Sequence, residues 1–80
     1  MLAKSRELAA LGATVRDMRT GLGLTQEALA ERAGVHPTYV SGVERGVRNV
    51  TFKVLLRLLT ALETDWGPFG KALSRRGVRL

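Results

Sequence analysis

Apolar residues recur at helical spacing along most of this chain, and glycines or short polar segments separate the recurring runs. Near the start, four apolar side chains fall three or four positions apart: Leu8, Leu11, Val15 and Met18. That spacing is typical of an α-helix with one buried face. The pattern therefore predicts a first helix that runs from about Ser5 to Thr20.

Two short helices separated by a glycine are predicted next, at about residues 25–33 and 36–45. Thr25 is a favourable N-cap, and Gly34 stands where the chain must turn with a positive φ. Pro37 fits the first turn of the second helix because its missing N–H would be unpaired there anyway. Two helices of this length around a glycine turn make a helix-turn-helix, whose second helix can lie in the major groove of DNA.

Two more helices are predicted in the second half of the chain. Thr51 is a favourable N-cap for a helix over about residues 52–63, and Asp65 can cap a fifth helix over about residues 65–73. The fourth helix is apolar on more than one face, and a single small domain can cover only one of them. A second protein surface is therefore expected to cover the other face.

Residues 52–73 are interpreted as a dimerisation region, formed by helices 4 and 5. The side chains assigned to the dimer interface are Leu58, Leu62, Trp66, Phe69 and Leu73. The alternative is that Trp66 and Phe69 only close the core of one protomer. Residues 74–80 are expected to form a basic, frayed tail. The patterns together predict a single all-α domain over residues 1–80, a compact five-helix helix-turn-helix fold.

Charge narrows the partners that such a domain can bind. The net charge is +6, and two basic blocks contain no acidic residue, one at residues 45–62 and one after Asp65. Such blocks suit a polyanion, either nucleic acid or an anionic membrane surface. A surface that only keeps the protein soluble would have the same composition. Charge alone therefore does not distinguish binding of nucleic acid, binding of a membrane and simple solubility.

Catalytic and metal-binding chemistry finds little support in the sequence. Cysteine is absent, which excludes disulfides and thiolate metal sites and agrees with a reducing cytoplasm. His36 is the only histidine and has no partner at ligand spacing, so it is assigned to helix entry or phosphate contact. The longest apolar stretch, residues 54–62, is too short for a membrane span. We expect a soluble, cytoplasmic protein that is not an enzyme and has no cofactor, metal or small-molecule ligand.

The outward face of the helix at residues 36–45 is the predicted reading surface. When Val40 and Val43 point inward, a rotation of about 100° per residue turns a polar strip outward. Hydroxyl groups, arginine and apolar carbons are the groups that read base edges in the major groove. For Gly42 two explanations are open, close approach of the backbone to DNA and a simply tolerated glycine. The residues assigned to base reading are Pro37, Thr38, Tyr39, Ser41 and Gly42.

Phosphate contacts are expected on both sides of this reading helix, where they would fix its position on the duplex. The start of the first motif helix offers backbone N–H groups and the positive end of a helix dipole. The loop after the reading helix and the start of the fourth helix offer a second anchor. The residues assigned to phosphates are Thr25, Gln26, His36, Arg45, Arg48, Asn49 and Thr51.

The run LGATVRDMRTGLGLTQEALAERAGVHPTYVSGVERGVRN, residues 11–49, resembles the Cro and phage-repressor type of helix-turn-helix, the XRE family. The resemblance extends over about residues 8–62. Its features here include Gly12, Arg16, Arg19, GLTQE at 23–27, AGV at 33–35 and ERG at 44–46. Within that family, residues 38–45 and the following RNVT at 48–51 most resemble restriction-modification controller proteins. Those are small homodimers that bind operators and time restriction-enzyme expression.

The resemblance also implies roles for individual residues. Arg19 and Glu44 match an ion pair that braces the first helix against the end of the reading helix, and Gln26 matches a phosphate-contacting glutamine. Two departures affect the site. His36 stands where many relatives have a Ser or Asp cap, and Pro37 stands where controller proteins often have an arginine that reads guanine. The operator sequence therefore cannot be transferred.

The predicted function is sequence-specific binding of double-stranded DNA by a homodimer that regulates transcription from a near-palindromic operator. Control of a restriction-modification system is the specific role that the family resemblance implies. Two alternatives remain open at this point. One is an antitoxin-type autorepressor, in which the apolar surface of helices 4 and 5 holds a toxin. The other is a protein-interaction adaptor that uses the same fold without reading bases.

Overall fold

The computed structural model describes residues 5–80, and these form five α-helices with no strand among them. The helices are α1 Arg6–Gly21, α2 Gln26–Ala33, α3 Pro37–Glu44, α4 Phe52–Ala61 and α5 Trp66–Arg75. The prediction of an all-α, five-helix fold is confirmed, and the observed helix bounds lie within two residues of the predicted ones. Residues 1–4 of the predicted single domain lie outside the described residues.

Side chains just ahead of each helix accept hydrogen bonds from its first turn, which satisfies N–H groups that have no partner inside the helix. The hydroxyls of Ser5, Thr25 and Thr51 cap α1, α2 and α4. The carboxylate of Asp65 accepts from the backbone N–H of Gly67 at 2.9 Å at the start of α5. Gly34 ends α2 with φ 70°, as its position in the pattern predicts.

The core lies between α1, α2, α3 and the two C-terminal helices. Every helix contributes at least one side chain that is at most 1% exposed: Val15, Leu29, Val40, Val43, Leu58 and Phe69. α1 packs against α3 and α5, whereas α2 packs against α3 and α4. The two helices of the helix-turn-helix, α2 and α3, are therefore positioned by packing against the other helices.

α1 and α3 approach each other so closely that no side chain fits between them at Gly12. A Cβ built on Gly12 would lie 2.2 Å from the carbonyl oxygen of Val43 and 2.7 Å from that of Glu44. Gly46 makes a second close approach, to Ala9 of α1, and has φ 73°. Glycine is therefore required at both positions, by the packing at Gly12 and by packing and backbone conformation at Gly46.

The structure corrects the assignment of the dimer interface. Leu58, Leu62 and Phe69 are at most 3% exposed because they pack into the core of one protomer. These three side chains have no surface to offer a partner chain. Trp66 is 49% exposed, and Leu73 is half-buried against the core. The alternative reading, closure of the protomer's core, is thus correct for Phe69 and wrong for Trp66.

The basic tail is also more ordered than expected. α5 continues to Arg75, and the chain then turns at Gly77, where φ is 92°. The backbone N–H of Val78 donates to the carbonyl oxygen of Leu73 at 3.0 Å, which closes the turn. Arg76 forms an ion pair with Asp17 of α1. The segment after Ser74 is therefore folded back against the first helix rather than frayed.

Candidate nucleic-acid interface

The end of α3 is fixed to α1 by an ion pair between Arg19 and Glu44. The Nε of Arg19 donates to one carboxylate oxygen at 2.6 Å, and Nη2 donates to the other at 3.0 Å. The two side chains are only 11% and 3% exposed. The pair that the family resemblance implied is confirmed, and its bidentate geometry sets the orientation of α3 as well as its position.

Burial and hydrogen bonding have opposite effects on the pKa of Arg19, and the effect of hydrogen bonding is larger. The hydrogen bond to Glu44 is the main reason that the pKa of Arg19 lies above its ordinary value, although desolvation acts to lower it. The guanidinium is therefore charged at every pH at which a protein of this kind works. Its contribution to stability is fully present at neutral pH and is lost only in strongly alkaline solution.

Gln26, at the start of α2, joins the same network. Its Nε2 donates to Glu44 at 3.0 Å, and Nη1 of Arg19 donates to the carbonyl oxygen of Leu24 at 2.7 Å. The carboxylate of Glu44 thus holds the first residue of α2 next to the last residue of α3. This is the reason that the predicted phosphate residue Gln26 has one fixed position beside the reading helix.

The face of α3 that points away from the core carries small polar groups, as the helical spacing predicts. Thr38 and Arg45 are exposed, and Ser41 and Pro37 are half-buried. Val40 and Val43, at most 1% exposed, anchor the opposite face. The strip can therefore present two hydroxyls and a guanidinium to base edges or phosphates.

Gly42 does not lie open on this strip, contrary to the sequence-based assignment. It is buried because the loop after α3 folds back over it. A Cβ on Gly42 would lie 3.4 Å from Nε and 3.6 Å from Cβ of Arg48, and 4.0 Å from Val47. These are ordinary van der Waals distances, so an alanine would also fit beneath Arg48, and the explanation of a tolerated glycine is favoured.

Arg48 is held in that position by Tyr39. Its guanidinium carbon lies 4.6 Å from the centre of the Tyr39 ring, within the range of a cation–π interaction. Arg48 therefore lies across the outer face of α3 instead of extending from the loop. Periodicity within α3 cannot reveal this contact, because Arg48 is outside the helix.

His36 takes the helix-entry role that its position suggested. Its Nδ1 accepts a hydrogen bond from the backbone N–H of Thr38 at 3.1 Å and so caps α3. Because Nδ1 accepts that bond, Nε2 is the ring nitrogen that is left to donate. The exposed Nε2–H is then a free donor at the start of α3, where a phosphate can accept it.

The remaining residues assigned to phosphates are exposed at three places around the motif. Thr25 caps α2, Thr51 caps α4, and Asn49 lies in the loop between α3 and α4. The two threonine hydroxyls accept bonds from their own helices, which leaves the hydroxyl hydrogen of each free to donate outward. Each is thus chemically able to contact a phosphate.

Other kinds of site are not evident in the part of the chain that the structure describes. Over residues 5–80 no helix is long and apolar enough to cross a membrane. In the same range no three acidic, histidine or cysteine side chains come together in a way that would suit a metal ion.

Comparisons with known proteins agree with this geometry. A family model described as helix-turn-helix matches residues 15–69. The control protein C.SmaI of Serratia marcescens is 44% identical over 69 residues, which are 86% of this chain and 79% of that protein. A mycobacterial regulator, RamB of Mycobacterium tuberculosis, is 36% identical over 55 residues, but these are only 12% of its length.

Two solved structures of controller proteins superpose well on the chain. The restriction-modification controller protein C.AhdI from Aeromonas hydrophila has a TM-score of 0.76 at 40% identity, over 86% of this chain and 98% of that one. The controller protein C.Esp1396I, crystallised as a tetramer with its natural 35 base-pair operator, has a TM-score of 0.85 at 33% identity. That match covers 90% of this chain and 95% of the other. The chain therefore belongs to the XRE-type helix-turn-helix family and, within it, to the restriction-modification controller proteins.

Proposed function

We propose that this protein is a homodimeric regulator of transcription that binds a near-palindromic operator and controls a restriction-modification system from the cytoplasm. The observation that carries the proposal is the network of Arg19, Glu44 and Gln26, because it fixes α3 with its polar strip outward. The similarity to C.SmaI and C.Esp1396I favours this role over an antitoxin or an adaptor. No catalytic role is proposed, because recognition of this kind is non-covalent.

In this proposal α3 lies in the major groove, and Thr38, Ser41 and Arg45 face the base edges and the backbone. The side chain of Arg48 lies on the same face, and its position over Gly42 gives the strip a second long cation. Pro37 offers only apolar carbon, which suits contact with a thymine methyl group and cannot replace a guanine-reading arginine. Specificity then depends on hydroxyls, arginine contacts and the shape of the DNA.

Phosphates on either side of the groove would be held by the groups that surround α3. On one side these are Thr25 and Gln26 at the start of α2, and on the other Asn49 and Thr51 before α4. His36 adds its Nε2–H at the start of α3. Such contacts fix the register of the helix but do not read sequence, so they explain affinity and its salt dependence.

The dimer would form through the exposed apolar patch of α4 and α5, defined here as Phe52, Leu56 and Trp66. Phe52 is 66% exposed and stacks on Trp66, with ring centres 5.8 Å apart and an angle of 8° between the rings. Leu56 lies one helical turn from Phe52 and is also exposed. Three large, exposed apolar side chains on one side of a small domain favour association with a second protomer. Leu73 would lie at the edge of that dimer interface.

Selection from a random library of DNA duplexes tests the proposal directly. We expect enrichment of an inverted repeat whose half-sites lie about one helical turn, 34–36 Å, or a multiple of it apart. The selected duplex and a scrambled one are then titrated at several salt concentrations, so that specific and phosphate-dependent binding separate. Recovery of no preferred sequence, or equal binding to both duplexes, would contradict sequence-specific regulation.

A further inference from the structure

A second basic surface lies on the side of α1 that packs against α5. It is defined here as the α1–α5 face and comprises Arg6, Lys71, Arg75, Arg76 and Arg79. Three adjoining grooves connect these residues. One is lined by Arg6, Arg76 and Arg79, a second by Arg75 and Arg76, and a third by Lys71 and Arg75. Because neighbouring grooves share Arg75 or Arg76, the cations form one continuous surface.

Few acidic groups offset this charge. Glu7 and Asp17 are the acidic residues that line the same grooves, and Asp17 already pairs with Arg76. The ion pair is exposed and connects the folded-back tail to α1, and Nη1 of Arg79 donates to the carbonyl oxygen of Ser74 at 3.1 Å. Arg6, Lys71, Arg75 and Arg79 are all exposed. The face is therefore strongly positive, and the folded-back tail carries most of its charge.

The α1–α5 face is separate from the reading surface. Gly12 marks the side of α1 that touches α3, and Asp17 and Thr14 mark the side that faces α5. At 3.6 residues per turn, these two directions differ by about 140–160° around the helix axis. A duplex held against α3 therefore lies on the far side of α1 from this face, and its own phosphates do not reach it.

The chemistry of the face suits phosphodiesters better than it suits an acidic protein. Among residues 5–80, four exposed cations of this face form no ion pair, and three of them are arginines. The planar guanidinium group of arginine binds phosphate in a bidentate manner. Interfaces with nucleic acid are polar and positively charged, whereas a stable protein interface has an apolar centre. The groove between Arg6 and Arg79 is lined mainly by charged side chains.

We propose that the α1–α5 face binds the phosphate backbone of a second DNA duplex while α3 occupies the operator. Each protomer then has two DNA surfaces of different kinds. One reads sequence through α3, and the other holds any duplex through charge. A dimer on its operator can thereby connect that site to another segment of DNA, which is a role beyond operator binding by itself.

The test measures whether operator-bound protein captures a second duplex. The duplex from the selection experiment is immobilised and saturated with full-length protein, and a labelled duplex of scrambled sequence is then titrated at several salt concentrations. The test variant is Arg75→Gln with Arg79→Gln. The matched control is Arg16→Gln with Arg57→Gln, two exposed cations outside the face, so both variants lose the same charge.

Wild type and the control are expected to capture the labelled duplex, and the test variant is expected to capture much less. Loss of two phosphate contacts would make the plot of log K against log salt shallower by about 2. Binding to the immobilised operator is expected to be unchanged in the test variant. Absence of capture by wild type, or equal loss in both variants, would overturn the proposal. So would binding of poly-glutamate as tight as that of the scrambled duplex.

The test of the α1–α5 face can be interpreted whether or not the protein proves to be a sequence-specific regulator. If selection yields no operator, the same measurement uses scrambled DNA as both duplexes, and a difference between the two variants still reports the second surface. If an operator is found and no second duplex is captured, the proposal for the α1–α5 face fails while sequence-specific regulation stands.

Discussion

The guanidinium of Arg19 donates hydrogen bonds to both carboxylate oxygens of Glu44. This ion pair joins the end of the first helix to the end of the reading helix. The two residues are 25 positions apart, and the donor–acceptor distances are 2.6 and 3.0 Å. Since Glu44 is 3% exposed, its charge depends on Arg19 and Gln26 rather than on water. The orientation of α3 on the body of the domain therefore depends on one buried carboxylate.

The first prediction follows from that dependence. Arg19→Ala leaves the carboxylate of Glu44 buried without its cation, and we expect the free energy of unfolding to fall by about 3–5 kcal/mol. Urea denaturation followed by circular dichroism measures the loss. The control is Arg32→Ala, because its ion pair with Glu63 is exposed and should contribute about 1 kcal/mol or less. Equal losses in the two variants would contradict the structural role of the buried pair.

The second prediction concerns the close approach of α1 and α3. Gly12→Ala would place a Cβ 2.2 Å from a backbone oxygen that cannot move aside, so the helices must separate. We expect a loss of roughly 3 kcal/mol or more, the upper range for overpacked sites. Gly21→Ala, at the open end of the same helix, meets no atom within 4 Å. It should change stability by less than about 1 kcal/mol and in the favourable direction.

The third prediction separates the stability of α3 from its contact with Arg48. Gly42→Ala adds a Cβ at 3.4 Å from a flexible side chain, so the fold should persist, with a gain of up to about 1 kcal/mol from helix propensity. Because the added methyl group touches Arg48 only at van der Waals distance, operator binding by Gly42→Ala should be retained. Salt titration of Arg48→Gln measures the charge contribution, with a slope smaller by about 1 if Arg48 contacts a phosphate. A salt slope that is unchanged in Arg48→Gln would show that Arg48 makes no contact with a phosphate.

The fourth prediction concerns base recognition by the hydroxyls of α3. Thr38→Ala or Ser41→Ala should reduce discrimination at one base pair by about 1–3 kcal/mol and leave binding to scrambled DNA unchanged. A series of operators with single base-pair changes, titrated against each variant, gives the profile. A uniform loss at all positions would mean that the hydroxyls contact the backbone instead.

The fifth prediction compares an exposed aromatic residue with a buried one. Trp66→Ala should weaken self-association with little effect on the protomer's fold, because the side chain is 49% exposed. Phe69→Ala, at 1% exposure, should instead cost about 3–5 kcal/mol of stability. Sedimentation and denaturation of the two variants measure both effects. A wild-type monomer at micromolar concentration would contradict the proposed dimer.

The local architecture of this protein follows from its sequence. Threonine and aspartate caps, the glycine turn at Gly34 and the apolar spacing of α1 all placed helices close to where the structure has them. These signals depend on residues within one or two turns of each other, so a single chain read in order reveals them. The ion pair of Arg19 with Glu44 was predicted from family resemblance, since no local rule joins residues so far apart.

Only the tertiary structure decided which apolar faces are covered and which long side chains meet. Leu58 and Phe69 fill the core while Phe52 and Trp66 stay open, because the packing of α4 and α5 against the rest of the domain covers only some of their apolar side chains. Packing between helices also brings Arg76 to Asp17, which lies 59 positions earlier in the chain. The fold of the loop after α3 likewise places Arg48 over Gly42. Helical periodicity determines the faces that a helix has, whereas packing between helices determines which of those faces remains available for binding.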